Sequence, residues 1–110
     1  MTKQELYAIW QRYMHRADLA GDLDKVYAAV QLMVANDWLG ALPLYADEDA
    51  ELAKLSNAYL HGGLKYLHEL AQDDVGIARE HPMYLRALEG AQMRHSIENK
   101  TANPFDQGGA

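Results

Sequence analysis

The chain of 110 residues has room for one small domain and not for two independent cores. Its formal net charge of −6 argues against a general nucleic-acid-binding protein, because such a protein needs a basic surface. It has no cysteine, so neither disulfides nor thiolate metal sites are expected, and no apolar run long enough to span a membrane. The acidic excess is local: residues 1–75 hold 12 acidic and 6 basic side chains, whereas residues 76–110 hold 4 of each.

The N-terminal residues lack an apolar signal core, so secretion is not expected, and they predict a first helix over residues 3 to about 17. Thr2 followed by Glu5 is a capping-box pattern, which marks the start of a helix. The apolar residues that recur at helical spacing, and are expected to be buried, are Leu6, Trp10, Tyr13 and Ala17.

A second helix is predicted from Leu23, after turn and cap residue types, and is expected to end before Gly40 and Pro43. Its apolar side follows the spacing of a helix: Leu23, Val26, Tyr27, Val30, Met33, Val34 and Trp38. A stripe of this width needs at least two neighbouring helices. The apolar loop at residues 40–46 is expected to lie across them.

A third helix is predicted after Asp47, because the acidic residues at 47–51 suit a helix N-terminus. It is expected to continue to about Gln72 and to be the longest helix. Its apolar stripe is Leu52, Leu55, Tyr59, Leu60, Leu64, Leu67 and Leu70. Gly62 and Gly63 lie inside it, so either the helix bends there or a neighbouring backbone packs closely; close packing is favoured.

A fourth helix is expected after Asp73 and Asp74. Pro82 predicts that it is either kinked or split into a short turn and a helix from about Pro82 to Glu98. The predicted fold is therefore all-α: a small bundle of about four helices over residues 1–98, followed by an extended C-terminal arm over residues 99–110. The arm is polar and is expected to be disordered alone.

Five histidines raise the possibility of a metal site, but their spacing does not support one. His61 and His68 lie two helical turns apart, too far for one ion without a third element. His68 and Glu69 begin a zinc-protease pattern that fails at Gln72. We interpret the histidines as lying at the edge of the core and predict no catalytic residue, cofactor or metal. Helix 2 also lacks the side chains of a DNA-recognition helix, so sequence-specific nucleic-acid binding is not expected.

The C-terminal arm carries one aromatic residue in polar surroundings, at Asn103, Pro104, Phe105 and Asp106. Composition alone is typical of a ragged end. The functional interpretation is a partner-binding peptide that orders on another subunit, with Phe105 as its anchor and Pro104 limiting the entropy lost on binding.

Two segments together resemble the phage head-to-tail connector proteins, the adaptors that sit beneath the portal ring. The sequence HRADL matches that family's helix junction at His15, Arg16, Asp18 and Leu19, and an apolar helix ending in WLGAL follows it. The later sequence LSNAYLHGGLKYLHELAQDD, followed by YLRALEGAQ, is similar to the family's paired helices. Arg16 and Asp18 either form a local ion pair or are solvated. Pro82 departs from the family pattern because it interrupts the last helix.

The resemblance implies a non-enzymatic virion protein at the head–tail interface, made in the cytoplasm of a bacterial host. It implies a homo-oligomeric ring, usually of twelve copies, that contacts the portal protein and the tail or nozzle proteins. It also implies that the C-terminal arm contacts a neighbouring subunit or the portal, and that an acidic surface repels exiting DNA.

A second hypothesis belongs to another class of protein: a small acidic inhibitor or immunity-type protein that masks a basic nuclease or nucleic-acid-binding site. The acidic residues at 47–51 and 73–74 would bind the partner. A third, an enzyme with a histidine-based site, requires a bound metal.

Overall fold

The computed structural model describes residues 1–14 and 22–102, with side chains up to residue 98. It consists of four helices: α1 (Lys3–Met14), α2 (Leu23–Asp37), α3 (Glu48–Leu70) and α4 (Asp74–Ala102). Residues 1–14 and 22–102 contain no strand. The prediction of an all-α bundle of four helices is therefore confirmed.

Side chains cap the helices at most of the predicted positions. Asp47 accepts a hydrogen bond from the backbone N–H of Ala50 at 2.8 Å, which satisfies a free donor at the start of α3. Asp73 accepts one from Gly76 at 3.1 Å before α4, and the Thr2 hydroxyl accepts one from Glu5 at 3.2 Å. Asp22 precedes α2 but makes no side-chain cap hydrogen bond.

Helix α4 differs from its prediction in length and continuity. It has 29 residues against 23 in α3, so the expectation that the third helix is longest is wrong. It runs through Pro82 as one helix, so the split is wrong as well. Proline removes only one backbone donor from the helix, and Glu80 and Tyr84 on either side are both buried. The helix continues to Ala102, four residues beyond the predicted boundary at Glu98.

Helix α3 lies at the centre and packs against each of the other three helices. The largest side chains that are fully buried are Trp10 from α1, Tyr59 from α3 and Tyr84 from α4. Two of the residues expected in the core of the first three helices are exposed: Tyr13 at 63% and Leu70 at 58%. Tyr13 lines an open cleft beside Leu64 instead of entering the core, and Leu70 is the last residue of its helix.

Gly62 and Gly63 are sites of close packing, as favoured from the sequence, but side chains rather than a neighbouring backbone approach them. A methyl group on Gly63 would overlap the ring of Trp10, and one on Gly62 would lie 3.1 Å from the ring of Tyr84. The Trp10 indole N–H also donates to the carbonyl of Leu60 at 3.1 Å. The departure of α3 from helical geometry is not at the glycines but at Leu55 (φ −117°, ψ 19°).

The loop between α2 and α3 only partly lies across the bundle. Leu42 and Tyr45 pack against the core, whereas Leu39 and Leu44 are exposed. Gly40 takes a positive φ of 85°, which glycine adopts without steric cost. No helix in the part of the chain that the structure describes is long and apolar enough to cross a bilayer.

We predict that Gly63→Ala destabilises the protein, because the added methyl group must displace the Trp10 ring. The expected loss in the free energy of unfolding is about 1–3 kcal/mol, measured by urea denaturation. Gly90→Ala is the matched control, since only Arg94 lies within 4 Å of its added methyl group, at 3.5 Å. That control should gain about 0.5–1 kcal/mol from helix propensity. Equal effects of the two substitutions would contradict the packing assigned to Gly63.

Candidate functional site

A groove between α3 and α4 is lined by two arginines, Arg86 and Arg94. We call it the α3–α4 groove; its volume is about 380 Å³ and its lining residues are Asn57, His61, Met83, Arg86, Ala87, Gly90 and Arg94. Arg86 and Arg94 are eight residues apart on α4, so both lie on the same side of that helix. Both are exposed, and within residues 1–14 and 22–98 neither forms an ion pair. The groove can therefore accept an anionic group beside an apolar surface.

A buried histidine–carboxylate pair lies at one end of this groove. The Nδ1 atom of His61 is 2.7 Å from Oε2 of Glu80, and only 5% of Glu80 is exposed. An ionised carboxylate only accepts, so the Nδ1 of His61 donates this hydrogen bond. His61 also lines the cleft beside Tyr13, of about 460 Å³, so the pair stands between two open surfaces. Such a pair can hold and orient a proton.

The polar contacts continue along α4 towards its N-terminus. Arg79 lies 3.4 Å from Glu80 and 3.3 Å from the Nε2 of His68. Because arginine only donates, His68 accepts at Nε2; its Nδ1 lies 3.1 Å from Asp73 but is buried without a well-formed hydrogen bond. A methyl group on Gly76 would overlap the His68 ring, so the close approach of the two helices depends on this glycine.

The hydrogen bond from the backbone of Gly76 lowers the pKa of Asp73, and nearby His68 lowers it further. Within the described residues, no group of three His, Cys, Asp or Glu side chains could hold a metal ion.

Acidic residues from the starts of α2 and α3 gather around three tyrosines. We call this region the acidic end; it comprises Asp24, Glu48, Asp49 and Glu51. The hydroxyl of Tyr7 donates to Asp24 at 2.6 Å, and that of Tyr59 donates to Glu51 at 2.6 Å. The ammonium group of Lys3 lies 4.6 Å from the centre of the Tyr27 ring and 3.5 Å from Glu48.

The tyrosines at the acidic end resist ionisation. Burial, followed by repulsion from Glu48, raises the pKa of Tyr27 to about 12. Burial and a hydrogen bond to a carboxylate raise the pKa of Tyr7 and of Tyr59 further. The hydroxyl of Tyr27 has no hydrogen-bond partner among the described residues, which separates it from the other two.

The candidate site residues that the sequence predicts lie outside the part of the chain that the structure describes. They are the junction residues His15, Arg16, Asp18 and Leu19 and the arm residues Asn103, Pro104, Phe105 and Asp106. Sequence reasoning missed the groove arginines, although Arg86 and Arg94 recur at a helical interval. It also missed Glu80, whose partner lies on another helix.

Comparisons with protein-family models, with curated proteins and with solved structures find no significant match to this chain.

We predict that Glu80→Ala destabilises the protein, because it removes the 2.7 Å partner of His61 in a part-buried position. The expected loss in the free energy of unfolding is about 1–3 kcal/mol, measured by urea denaturation. Glu89→Ala, an exposed carboxylate on the same helix, should change it by no more than about 0.5 kcal/mol. A loss no larger than that of the control would show that the pair contributes nothing to stability.

We predict that Tyr27→Phe protects the protein at high pH. The folded-state pKa of Tyr27 is raised from 10.0 to about 12, so its contribution to stability is complete below pH 10 and is lost as the pH rises towards 12. At pH 8 the variant should be at least as stable as the parent chain, because it loses a buried hydroxyl that has no hydrogen-bond partner. Between pH 8 and pH 11 its advantage over the parent should grow by about 1 kcal/mol. Urea denaturation at both pH values measures this, with Tyr13→Phe, an exposed tyrosine, as control. If the parent and Tyr27→Phe lose the same free energy of unfolding between pH 8 and pH 11, the raised pKa does not belong to Tyr27.

Proposed function

We propose that this chain is a non-enzymatic structural subunit of a phage head–tail connector. In this proposal the helical body joins a homo-oligomeric ring on the portal protein, and the C-terminal segment contacts a neighbouring subunit. The ring lies in the virion, and tail or nozzle proteins are its other neighbours. The proposal starts from the resemblance of the helix junction and of the paired helices.

The observation that supports it best is that α4 exposes apolar side chains on a second face as well as burying them on the first. Its inner face buries Tyr84, Leu88 and Ala91 against the rest of the bundle. Its outer face exposes four apolar residues at helical spacing, with one carboxylate, Glu89, between the last two of them: Ala78, Pro82, Leu85 and Met93. Leu85 is 44% exposed and Met93 is 60% exposed. A subunit that is assembled into a ring covers such a second face with another chain.

The acidic end fits the same proposal. Asp24, Glu48 and Asp49 are exposed carboxylates at the starts of two neighbouring helices. A ring that surrounds DNA benefits from a surface that repels phosphate, because an attractive lining would slow the passage of the strand. The only basic residue paired with Glu48 in the described part of the chain is Lys3, so most of this charge is not neutralised locally.

We predict that the full chain binds rings of the portal protein encoded in the same genome, and that deletion of residues 103–110 abolishes binding. The deletion starts after the last residue of α4, so the body should keep its helical circular dichroism and its midpoint of urea unfolding. Mass photometry of portal rings with each chain measures the mass added per ring. Absence of binding by the full chain would contradict the adaptor function. Unimpaired binding by the truncated chain would contradict the role of the arm alone.

A second candidate, an acidic inhibitor of a basic protein, is favoured by one observation: Asp24, Glu48, Asp49 and Glu51 all lie close enough to the tyrosines at the acidic end to raise a tyrosine pKa there. An acidic inhibitor should bind one copy of a basic nuclease, and its affinity should fall steeply between low and high salt. Isothermal titration at two salt concentrations distinguishes the candidates. Replacing Glu48 and Asp49 by Gln and Asn should abolish nuclease binding and leave portal binding intact.

A further inference from the structure

The α3–α4 groove has a charge and a shape that suit one segment of this same chain. Its two arginines have no carboxylate partner among the side chains that the structure describes, although the whole chain has a net charge of −6. Glu98, one turn after Arg94, pairs instead with Lys54 at 3.1 Å. Met83 and Ala87 add apolar surface on either side of Arg86 along α4. A fitting ligand therefore carries an anionic group next to an apolar one.

The length of the groove is that of a short extended peptide. From Met83 to Arg94 it follows α4 for eleven residues, or about 16 Å at about 1.5 Å per residue. An extended peptide advances about 3.3 Å per residue, so about five residues fill the groove. Gly90 leaves its middle open, because a side chain there would meet only the guanidinium group of Arg94.

We propose that the groove binds the C-terminal segment of a second copy of this chain. The segment Asn-Pro-Phe-Asp-Gln, which begins at Asn103, has the required length and places an aromatic residue directly before a carboxylate. Phe105 packs on Met83 and Ala87, where a thioether beside an aromatic ring is favourable. Asp106 pairs with Arg94, whose guanidinium group lies beside Gly90. Pro104 restricts the free segment and so reduces the entropy lost on binding.

The occupant is another copy because a chain cannot place its own Phe105 in its own groove. Helix α4 continues to Ala102, fifteen residues beyond Ala87, which is about 22 Å along the helix axis. The three residues from Ala102 to Phe105 span at most about 11 Å. The contact therefore joins one copy to the next, a heterologous contact that closes a ring or extends a chain. This proposal extends the proposed function and rests on it, because assembly into a ring is what brings two copies together.

The test uses the purified chain without portal, so that its outcome is separate from that of portal binding. In sedimentation velocity, the average mass of the full chain should rise above 12.4 kDa with concentration. Arg94→Glu and Phe105→Ser should each weaken association by about tenfold or more. Arg12→Glu, an exposed arginine on α1, is the control with the same change in charge and should associate like the parent chain.

A complementation experiment identifies the contact itself. The chain lacking residues 103–110 has a groove and no arm, whereas Arg94→Glu has an arm and an altered groove. Each should remain a folded monomer alone, and the mixture should form a one-to-one complex, since the arm of one copy fits the groove of the other. A full chain that stays monomeric, association that survives Arg94→Glu, or a mixture of folded variants that forms no complex would each overturn the proposal. Portal binding that persists in any of these cases would leave the adaptor function standing.

Discussion

The contact between the Trp10 ring and the backbone of α3 at Gly63 is the constraint on which the rest of the structure depends. The ring occupies the space of a missing side chain, and its N–H donates to the carbonyl of Leu60. At the adjacent position, Gly62 has no side chain, and the ring of Tyr84 from α4 packs against it. Each glycine costs a helix about 1 kcal/mol relative to alanine. Burial of two large aromatic side chains offsets that cost, and α1 and α4 are both fixed against α3.

The register of α4 on α3 follows from this packing and in turn positions the polar site. Tyr84 is fully buried, and its hydroxyl donates to Asp37 at the end of α2 at 2.8 Å. Glu80 lies one turn before Tyr84 and so falls beside His61. The residues after Tyr84 form one wall of the α3–α4 groove. A change that shifts α4 by one turn would therefore separate His61 from Glu80 and remove the groove as well.

Helical periodicity in the sequence was sufficient to identify all four helices and most of their buried residues, because apolar spacing reports directly on which face is covered. At Pro82 only the alternative of a split helix is wrong, since tertiary packing on both sides maintains one helix despite one lost hydrogen bond. Tyr13 and Leu70 misled the prediction because periodicity identifies a face but not where the neighbouring helix ends.

The site was less accessible to sequence reasoning for a related reason. The contact between His61 and Glu80 depends on the register between two helices, and a local sequence pattern does not predict that register. The groove likewise needs Asn57 from α3 to face Arg86 and Arg94 from α4. The junction and arm residues and the connector function inferred from the resemblance remain predictions. What the structure adds to them is a groove whose length and charge suit the proposed contact.

Hydrogen exchange at the two tryptophan indoles, followed by NMR, tests the central claim about Trp10 most directly. If the ring is held against α3 as described, its indole N–H exchanges only through global unfolding, at a rate set by the free energy of unfolding measured in urea. Trp38, at the end of α2 beside His95, should exchange faster through local opening. Exchange of the Trp10 indole as fast as that of Trp38 would contradict the account.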